Sequence, residues 1–218
     1  MHIAGFLRGT GLTFVEKKQE AGDIYTFYFT PKRPLKHIAG QHGLFILPGF
    51  KGLHIFSLSS APEEQYVSFS THVRQGSAYK QQLATLKAGD HMTLLGPVLD
   101  FVFQKDTTEY VFLAQGIGIT PFRSLLVHAK HTALPVKTTL IHVDGYAHTF
   151  KDETVTLASD AHFPTNPEEF TSAVTTTLNK KALYYLSGSP GFVKATTQTL
   201  LSLGIEKAHI KTDKFLGY

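Results

Sequence analysis

The sequence predicts a β + α/β fold in two domains, an antiparallel β-barrel followed by a doubly wound parallel sheet. Short aromatic and β-branched runs, separated by Pro and Gly, fill about the first hundred residues and are typical of a barrel. Beyond a polar stretch at 104–109, strands alternate with helices, as in a parallel sheet with crossover connections. We therefore expect the two domains to span residues 1–103 and 104–218.

Four strands and one helix are predicted in the first domain. Each strand is a β-branched or aromatic run that ends at turn residues. The predicted strands are residues 24–30, 44–47, 54–58 and 67–73. The helix begins at Ser77 and ends at Gly89, because Tyr79, Leu83 and Leu86 recur three or four residues apart.

The second domain is predicted from an alternation of strands and helices. The predicted strands are residues 110–114, 138–143, 154–157, 182–186 and 209–211. The predicted helices are residues 121–130, 168–177 and 190–203. Because parallel strands need long crossover connections, this order favours a doubly wound α/β domain.

The composition excludes several kinds of site. Of the 218 residues, 42% are hydrophobic and 17% are charged, as in a globular protein. The absence of cysteine excludes disulfides, thiolate zinc sites, cysteine nucleophiles and cysteine-bound iron–sulfur clusters. The net charge of +4 comes without the concentrated basic runs of nucleic-acid-binding proteins. Neither a signal-like start nor an apolar run of about 20 residues is found, so we expect a cytoplasmic protein without a membrane span.

The 12 histidines raise the question of a metal site. His128 and His131 lie three residues apart on a predicted helix, and His142 lies near Asp144 and His148. Since no third ligand is ordered beside either group, we expect structural or solvated histidines and no metal.

A glycine-containing loop at residues 114–121 lies between a predicted strand and a predicted helix. Gly116 and Gly118 would let the backbone approach a dinucleotide pyrophosphate at the positive end of the helix. The usual third glycine is missing, and Pro121 stands at the first helical position. By spacing alone, a plain tight turn remains the alternative to a dinucleotide site.

Two hydroxyl-bearing segments mark a second candidate site, in the first domain. Residues 56–62 concentrate serines and one aromatic residue at the end of a strand. Gly76 and Ser77 precede the predicted helix, where free N–H groups and a hydroxyl would converge on a phosphate. An ordinary helix cap and a serine-rich turn are the alternatives.

Taken together and in order, the motifs resemble the ferredoxin–NADP reductase superfamily over nearly the whole chain. They are residues 54–60 (HIFSLSS), 76–77 (GS), 89–90 (GD), 96–101 (GPVLDF), 116–122 (GIGITPF), 187–190 (SGSP) and 215–218 (FLGY). The resemblance implies a flavin-binding barrel, a nicotinamide-dinucleotide domain, and hydride transfer from NAD(P)H to bound FAD, with FMN less expected. Electrons would pass onward to an acceptor such as an acidic ferredoxin or flavodoxin, or to a small molecule.

The resemblance also implies which residues bind the flavin. Phe56 would lie against the flavin ring and the Ser57 hydroxyl near flavin N5, while His54 takes the place of the family's arginine. Since imidazole is a weaker anion ligand than guanidinium, pyrophosphate binding would be weaker or shared with Arg74. The remaining predicted FAD contacts are Ser59, Thr71, His72, Val73, Gly76, Ser77, Phe215 and Tyr218.

In the second domain the resemblance implies a nicotinamide-dinucleotide site. Ser187 stands where many relatives carry a cysteine beside the reacting nicotinamide carbon, and Tyr218 would cover the flavin until nicotinamide arrives. Ser57, Ser187 and Tyr218 are therefore the predicted catalytic residues. The predicted NAD(P) contacts are Gly116, Ile117, Gly118, Thr120, Pro121, Gly188, Ser189 and Pro190.

The choice between NADH and NADPH is predicted from acidic residues. Asp144 could accept from a ribose diol, as acidic residues do in NAD sites. Ser159 and Asp160 stand where NADPH-selective relatives often carry Ser-Arg, and the Asp160 carboxylate would repel a 2′-phosphate. We therefore favour NADH, although Lys151 or His148 could still bind a phosphate.

Two further functions remain open from the sequence. One is a free-flavin or ferric-chelate reductase that releases its flavin, which His54 favours. The other is a non-catalytic flavin-binding partner subunit, which Ser187 and Gln115 favour because both depart from the family pattern. The sequence names neither the physiological acceptor nor the oligomeric state.

Overall fold

The computed structural model describes residues 9–50, 54–73, 77–99 and 101–214. The chain divides into two compact units, Met1–Val102 and Phe103–Tyr218. The first is built on an antiparallel sheet and the second on a parallel sheet with helices, which confirms the predicted fold class.

The first unit is a curled six-stranded antiparallel sheet with the strand order β4-β3-β6-β1-β2-β5. The strands are β1 (Thr10–Ala21), β2 (Ile24–Pro31), β3 (His42–Ile46), β4 (His54–Ser57), β5 (Val67–His72) and β6 (His91–Val98). A single bridge between Leu58 and Phe69 brings the two edges of the sheet together. The sheet therefore curls toward a barrel around an aromatic core.

Two strands of this unit, β1 and β6, escaped prediction for identifiable reasons. Only Leu12 and Phe14 of β1 are buried, and its second half is a polar ribbon paired with β2. Strand β6 contains Gly96 and Pro97, which normally weaken or end a strand. In each segment the apolar alternation is limited to two buried residues, Leu12 and Phe14 in β1 and Met92 and Leu94 in β6, which is too short to identify a strand from sequence.

Stacked phenylalanines fill the core of the first unit. Phe69 stacks on Phe27 at 5.5 Å and on Phe29 at 5.7 Å between ring centroids. Helix α1 (Ala78–Ala84) adds Tyr79 and Leu83 to this core. The helix ends at Ala84, earlier than predicted.

The second unit is a five-stranded parallel sheet with the strand order β11-β10-β7-β8-β9. The strands are β7 (Glu109–Gln115), β8 (Lys137–Val143), β9 (Asp160–His162), β10 (Leu183–Gly188) and β11 (Ile210–Lys214). The helices are α2 (Thr120–His131), α3 (Lys151–Leu157), α4 (Pro167–Thr176) and α5 (Pro190–Ser202).

Helices cover both faces of the parallel sheet. On one face, Val111 and Leu113 of β7 pack in a cluster with Phe170 of α4 and Val193 of α5. On the other face, Phe112 stacks on Phe122 of α2 at 4.8 Å. Successive side chains of β7 therefore pack into two hydrophobic cores, one on each face of the sheet. The predicted doubly wound arrangement is confirmed.

The strand order creates a topological switch point between β7 and β10. From the central strand β7 the chain builds β8 and β9 on one side, and then β10 and β11 on the other. Connections leave the carboxyl ends of β7 and β10 in opposite directions, which opens a crevice where ligands bind in open α/β sheets. Gln115 and Gly188 end these two strands.

The strand predicted at residues 154–157 is wrong, because this segment belongs to helix α3. Its β-branched residues suggested a strand. In the structure, however, the Thr154 hydroxyl donates a hydrogen bond to the Phe150 carbonyl at 2.8 Å, as in a helix. Asp152 and Glu153 occupy the first helical turn, where negative charge is favourable. The third strand is β9, which begins at Asp160.

Candidate functional site

Residues Gly116–Ile119 form a 3₁₀ turn that runs directly into helix α2. Gly116 has φ +53°, in the left-handed region that favours glycine. A Cβ added to Gly118 would lie 2.2 Å from the Ser187 carbonyl oxygen, so only glycine permits this close approach to β10. Both glycines of the predicted dinucleotide loop are therefore required by the backbone.

A second helix begins beside this loop. Ser189 caps α5 by accepting from the Phe192 N–H, and the Ser189 hydroxyl donates to the Gln115 side chain at 2.6 Å. Gln115, which stands where the family commonly has glycine, thus ties the end of β7 to the start of α5. The amino ends of α2 and α5 both lie at the switch point, where unpaired N–H groups and the helix dipoles favour an anion.

A cavity of about 180 Å³ lies beside Gln115, between α4 and α5. Val143, Phe170 and Phe192 contribute its apolar lining, and Thr171 contributes a hydroxyl. The two phenylalanine rings are 5.3 Å apart. The crevice at the carboxyl edge of the sheet therefore continues into a largely apolar pocket that contains two phenylalanine rings.

Asp144 follows β8 and lies at the same edge of the sheet. Its Oδ1 accepts from the backbone N–H groups of Tyr146, at 2.9 Å, and Ala147, at 3.3 Å. Its Oδ2 lies 3.8 Å from the position that a Cβ would take on Gly116. A carboxylate is thus fixed next to the first glycine of the loop.

Ser159 and Asp160 lie at the opposite edge of the sheet. Asp160 pairs with Thr139, near the beginning of β8, and accepts from the His162 ring at 2.9 Å. The Ser159 hydroxyl accepts from the Thr138 N–H at 3.1 Å. The structure does not bring these two residues to the glycine loop, because they precede the third strand instead of following it.

Ser187 is fully buried at the carboxyl end of β10. Its hydroxyl donates to Asp213 Oδ2 at 3.4 Å, across the β10–β11 pair. Asp213 is 9% exposed and was not singled out from the sequence. No motif marks it, and only the register of the two strands reveals the contact.

In the first unit, Ser57 is buried and hydrogen-bonded to His42. The Ser57 Oγ lies 3.0 Å from His42 Nε2, and the two residues face each other across β3 and β4. Sequence reasoning missed His42, which lies in a different strand. The Ser59 hydroxyl bonds to Ser70 at 2.8 Å, and Ser70 bonds to Thr26 at 2.8 Å, so Ser59 belongs to a buried hydroxyl chain.

His54 and Phe56 both face the aromatic core of the first unit. Phe56 is 8% exposed and stacks on Phe69 with ring centroids 4.5 Å apart. His54 stacks on Tyr79 at 3.7 Å. Burial and the nearby Lys80 lower the pKa of His54, so this ring supplies no fixed positive charge in the place of the family's arginine.

The predicted ribityl segment lies on β5, an edge strand. Thr71 is buried opposite Tyr25. The His72 ring bonds to the Asp23 carboxylate at 2.7 Å, and the Val73 N–H donates to the Asp23 carbonyl at 2.8 Å. Two of the three predicted contacts are thus engaged with Asp23.

The remaining predicted flavin residues divide into two sets. Ser77 caps helix α1 by accepting from the Lys80 N–H at 3.4 Å, which is the contact of an ordinary helix cap. The others lie outside the described residues. They are Arg74, Gly76, Phe215 and Tyr218.

His142 is a further site residue that sequence reasoning did not assign to the loop. It is completely buried on β8, and its Nε2 donates to the Gly116 carbonyl at 2.9 Å. Burial and the neighbouring His148 lower the pKa of His142 to about 4, although Gly116 and Asp144 act in the opposite direction. Its ring is therefore neutral at physiological pH.

The sequence is similar to parts of several known flavoproteins and reductases. No protein-family model matches the chain. A flavohemoprotein from Pseudomonas putida is 28% identical over 155 residues, which cover 68% of this chain and 40% of the relative. Reductase components of phthalate and toluate dioxygenases also match. The chain spans about two fifths of the length of the first curated relatives it matches.

Solved structures share the fold over nearly the whole chain. The FAD/NAD-binding domain of a nitric oxide dioxygenase from Vibrio cholerae has a TM-score of 0.76 and 24% identity, covering 95% of this chain and 98% of that one. A ferredoxin–NADP+ reductase from Plasmodium falciparum has a TM-score of 0.78 and 16% identity, with coverage of 95% and 96%. The chain is therefore similar in sequence to flavohemoproteins and dioxygenase reductase components, and it shares its fold with FAD/NAD-binding domains and ferredoxin–NADP+ reductases.

Proposed function

We propose that the chain is a flavin-dependent oxidoreductase, which moves a hydride from NAD(P)H to bound FAD and passes electrons to a separate acceptor. The observation that carries the proposal is the meeting of the glycine loop and the start of α5 at the switch point of the parallel sheet. Two helix amino ends, a close-packed glycine and a fixed carboxylate are the parts that a dinucleotide site needs.

The residues present fit a nicotinamide dinucleotide. Backbone N–H groups of the glycine loop would hold the pyrophosphate, and Asp144 would accept from a ribose diol. The pocket lined by Phe170 and Phe192 would receive the adenine, a flat and largely apolar ring system. Thr120, Pro121 and Pro190 shape the starts of the two helices.

NADH is the proposed donor, and the residue that supports this choice is Asp144, whose carboxylate lies beside the glycine loop. Asp160 lies at the far edge of the sheet, so its charge would not act on a phosphate bound at the glycine loop. Lys151, whose ammonium lies 5.2 Å from the centre of the Phe163 ring, and His148 are the residues proposed to bind a 2′-phosphate if NADPH is the donor. The Asp144 carboxylate lies nearer the glycine loop and would repel that phosphate.

The first unit offers hydroxyl groups but weak anion binding for FAD. FAD, when bound, supplies the chemistry that accepts a hydride and releases electrons one or two at a time. Ser57 would orient its hydroxyl toward the flavin ring from its contact with His42, and Ser77 would offer the start of α1 to a phosphate. In the second unit, Asp213 would hold the Ser187 hydroxyl in one orientation beside the nicotinamide.

The neutral, stacked His54 favours a second candidate function. A flavin held without the guanidinium found in relatives would dissociate more readily, as in a reductase that uses free flavin as its substrate. Phe56 points to the same conclusion, because little of its ring is exposed for stacking. The choice between a resident FAD and a released flavin is therefore a question of affinity.

An acidic protein or a small molecule is the proposed electron acceptor. The cysteine-free chain has no residues for a thiolate-bound iron–sulfur cluster, and its net charge of +4 suits an acidic ferredoxin or flavodoxin. Similarity to the reductase components of two dioxygenases supports an oxygenase system as the setting. Within the described residues, no helix has the length and apolar character required to cross a membrane.

Flavin retention and turnover test the two candidates together. The purified protein is reconstituted with FAD and, separately, with FMN, and NADH oxidation is followed with ferricyanide as a diffusible acceptor. A resident-FAD reductase keeps one flavin per chain through gel filtration and turns over without added flavin. A free-flavin reductase loses its flavin and shows saturation with flavin added in excess of protein. Retained FAD without NADH or NADPH oxidation would overturn the proposal.

A further inference from the structure

His142 is a polar side chain at a position that the fold would fill with an apolar one. It lies in β8 directly after Leu140 and Ile141, and all three residues are completely buried. A buried polar group costs free energy unless its hydrogen bonds are made. Packing of the sheet therefore does not explain why an imidazole occupies this position.

The ring gives its one N–H to the glycine loop. The Gly116 carbonyl, 2.9 Å from Nε2, can only accept, so the proton resides on Nε2. Among the described residues, no group forms a hydrogen bond with Nδ1. The neutral imidazole thus uses its single donor, Nε2–H, for the Gly116 carbonyl, and its acceptor, Nδ1, makes no hydrogen bond within the described residues.

Neighbouring rings keep this donor in place. The His142 ring meets His148 edge-on at 5.1 Å and Phe163 at 6.4 Å between ring centroids. His148 is itself fixed, because its Nε2 donates to the Pro164 carbonyl at 2.9 Å. A ring packed on several sides cannot readily turn Nε2 away from the loop.

The contact determines which way one peptide group of the loop faces. In a planar trans peptide the C=O and N–H bonds point in opposite directions. Since the Gly116 oxygen faces His142, the Ile117 N–H faces away from β8. Ile117 lies in the first turn of the 3₁₀ segment, where N–H groups have no acceptor within the helix. Gly116 alone would not fix this orientation, because glycine populates many conformations.

We propose that His142 is a positioning residue for nucleotide binding, which holds the Gly116 carbonyl and so presents the Ile117 N–H to the pyrophosphate of the dinucleotide. The inference rests on the proposed function, which places the pyrophosphate at this loop. His142 would then act from behind the loop without touching the ligand. This role would explain why a polar imidazole is buried at this position.

Binding of ADP-ribose tests the proposal without turnover. ADP-ribose carries the pyrophosphate but no nicotinamide, so calorimetry on the FAD-reconstituted protein measures binding alone. We expect His142→Phe to weaken ADP-ribose binding by at least about tenfold, as for the loss of one hydrogen bond to a charged group. His142→Gln, which can still donate to Gly116, should recover most of the affinity. Thr138→Val, a buried substitution at the other end of β8, should bind like the wild type.

A second measurement on the unmodified protein keeps the proposal testable if His142→Phe does not fold. Nitrogen-15 NMR should find the His142 ring with its proton on Nε2, and the Ile117 amide signal should move when ADP-ribose is added. A proton on Nδ1, or equal affinity of the wild type and a folded His142→Phe variant, would overturn the positioning role alone. Failure of the wild type to bind ADP-ribose would overturn the proposed dinucleotide site together with it.

Discussion

Acid should destabilise the second unit through the protonation of His142. Burial lowers the pKa of this ring from 6.5 to about 4 in the folded protein. The unfolded chain therefore binds the proton more tightly than the folded one. The contribution of the neutral ring is complete above pH 6.5 and is lost as the pH falls from 6.5 toward 4.

The size of the effect follows from the difference between the two pKa values. A difference of roughly 2.5 units, at about 1.4 kcal/mol per unit, corresponds to a loss on the order of 3 kcal/mol. For a protein of ordinary stability this is a large part of the free energy of unfolding. The protein should become markedly less stable to urea at mildly acidic pH.

Urea unfolding at a series of pH values from 7.5 to 4.5 measures this loss, with His142→Gln as the test variant. The free energy of unfolding of the wild type should fall more steeply below pH 6.5 than that of the variant. Thr138→Val removes a buried hydroxyl from the same strand without removing an ionisable group, so its curve should run parallel to the wild type. Parallel curves for the wild type and His142→Gln would refute the reasoning.

Three further substitutions test the two candidate sites. His54→Arg should tighten FAD binding about tenfold, because a guanidinium makes charge-assisted bonds to phosphate, and quenching of flavin fluorescence measures this. Asp144→Asn should raise the ratio of kcat/KM for NADPH over NADH about tenfold by removing a charge that repels the 2′-phosphate; an unchanged ratio would remove Asp144 from nucleotide selection. Gly118→Ala should lower the free energy of unfolding by about 2 kcal/mol or more, because its Cβ would meet the Ser187 backbone. Gly191→Ala is the matched control, since a Cβ there meets open space; equal losses in thermal unfolding would contradict the close-approach argument.

The parallel sheet and its glycine loop were predictable because local signals determine them. A buried apolar strand, a glycine turn and a helix beginning at Thr120 follow one another directly in the sequence. The two glycines then carry strict backbone requirements, in the conformation of Gly116 and in the approach of Gly118 to β10. Residues near each other in sequence thus sufficed to locate this part of the site.

The residues that were missed are those that act across strands. His42 reaches Ser57, His142 reaches Gly116 and Asp213 reaches Ser187 only through the register of paired strands or the packing of a turn. No local pattern distinguishes such residues from ordinary core positions. Contacts of this kind follow from sheet order, which the sequence does not specify by itself.

The strand wrongly predicted at residues 154–157 also affected the prediction of NADH over NADPH. The alternation of threonine with Val155 and Leu157 suggested a strand, whereas side-chain bonds to the preceding turn and acidic residues in the first turn favour helix α3. The error placed Ser159 and Asp160 after a strand, whereas Asp160 in fact begins β9. The predicted interaction of Asp160 with a 2′-phosphate depended entirely on that boundary.

Anaerobic reduction of the FAD-reconstituted protein tests whether a nicotinamide nucleotide reduces its bound flavin. NADH and, separately, NADPH are added in steps while the absorbance of the oxidised flavin is followed. NADH should bleach the flavin close to one equivalent per chain, whereas NADPH should require a far higher concentration. A bound flavin that neither nucleotide bleaches would contradict the assignment of the chain as a nicotinamide-dependent flavin reductase.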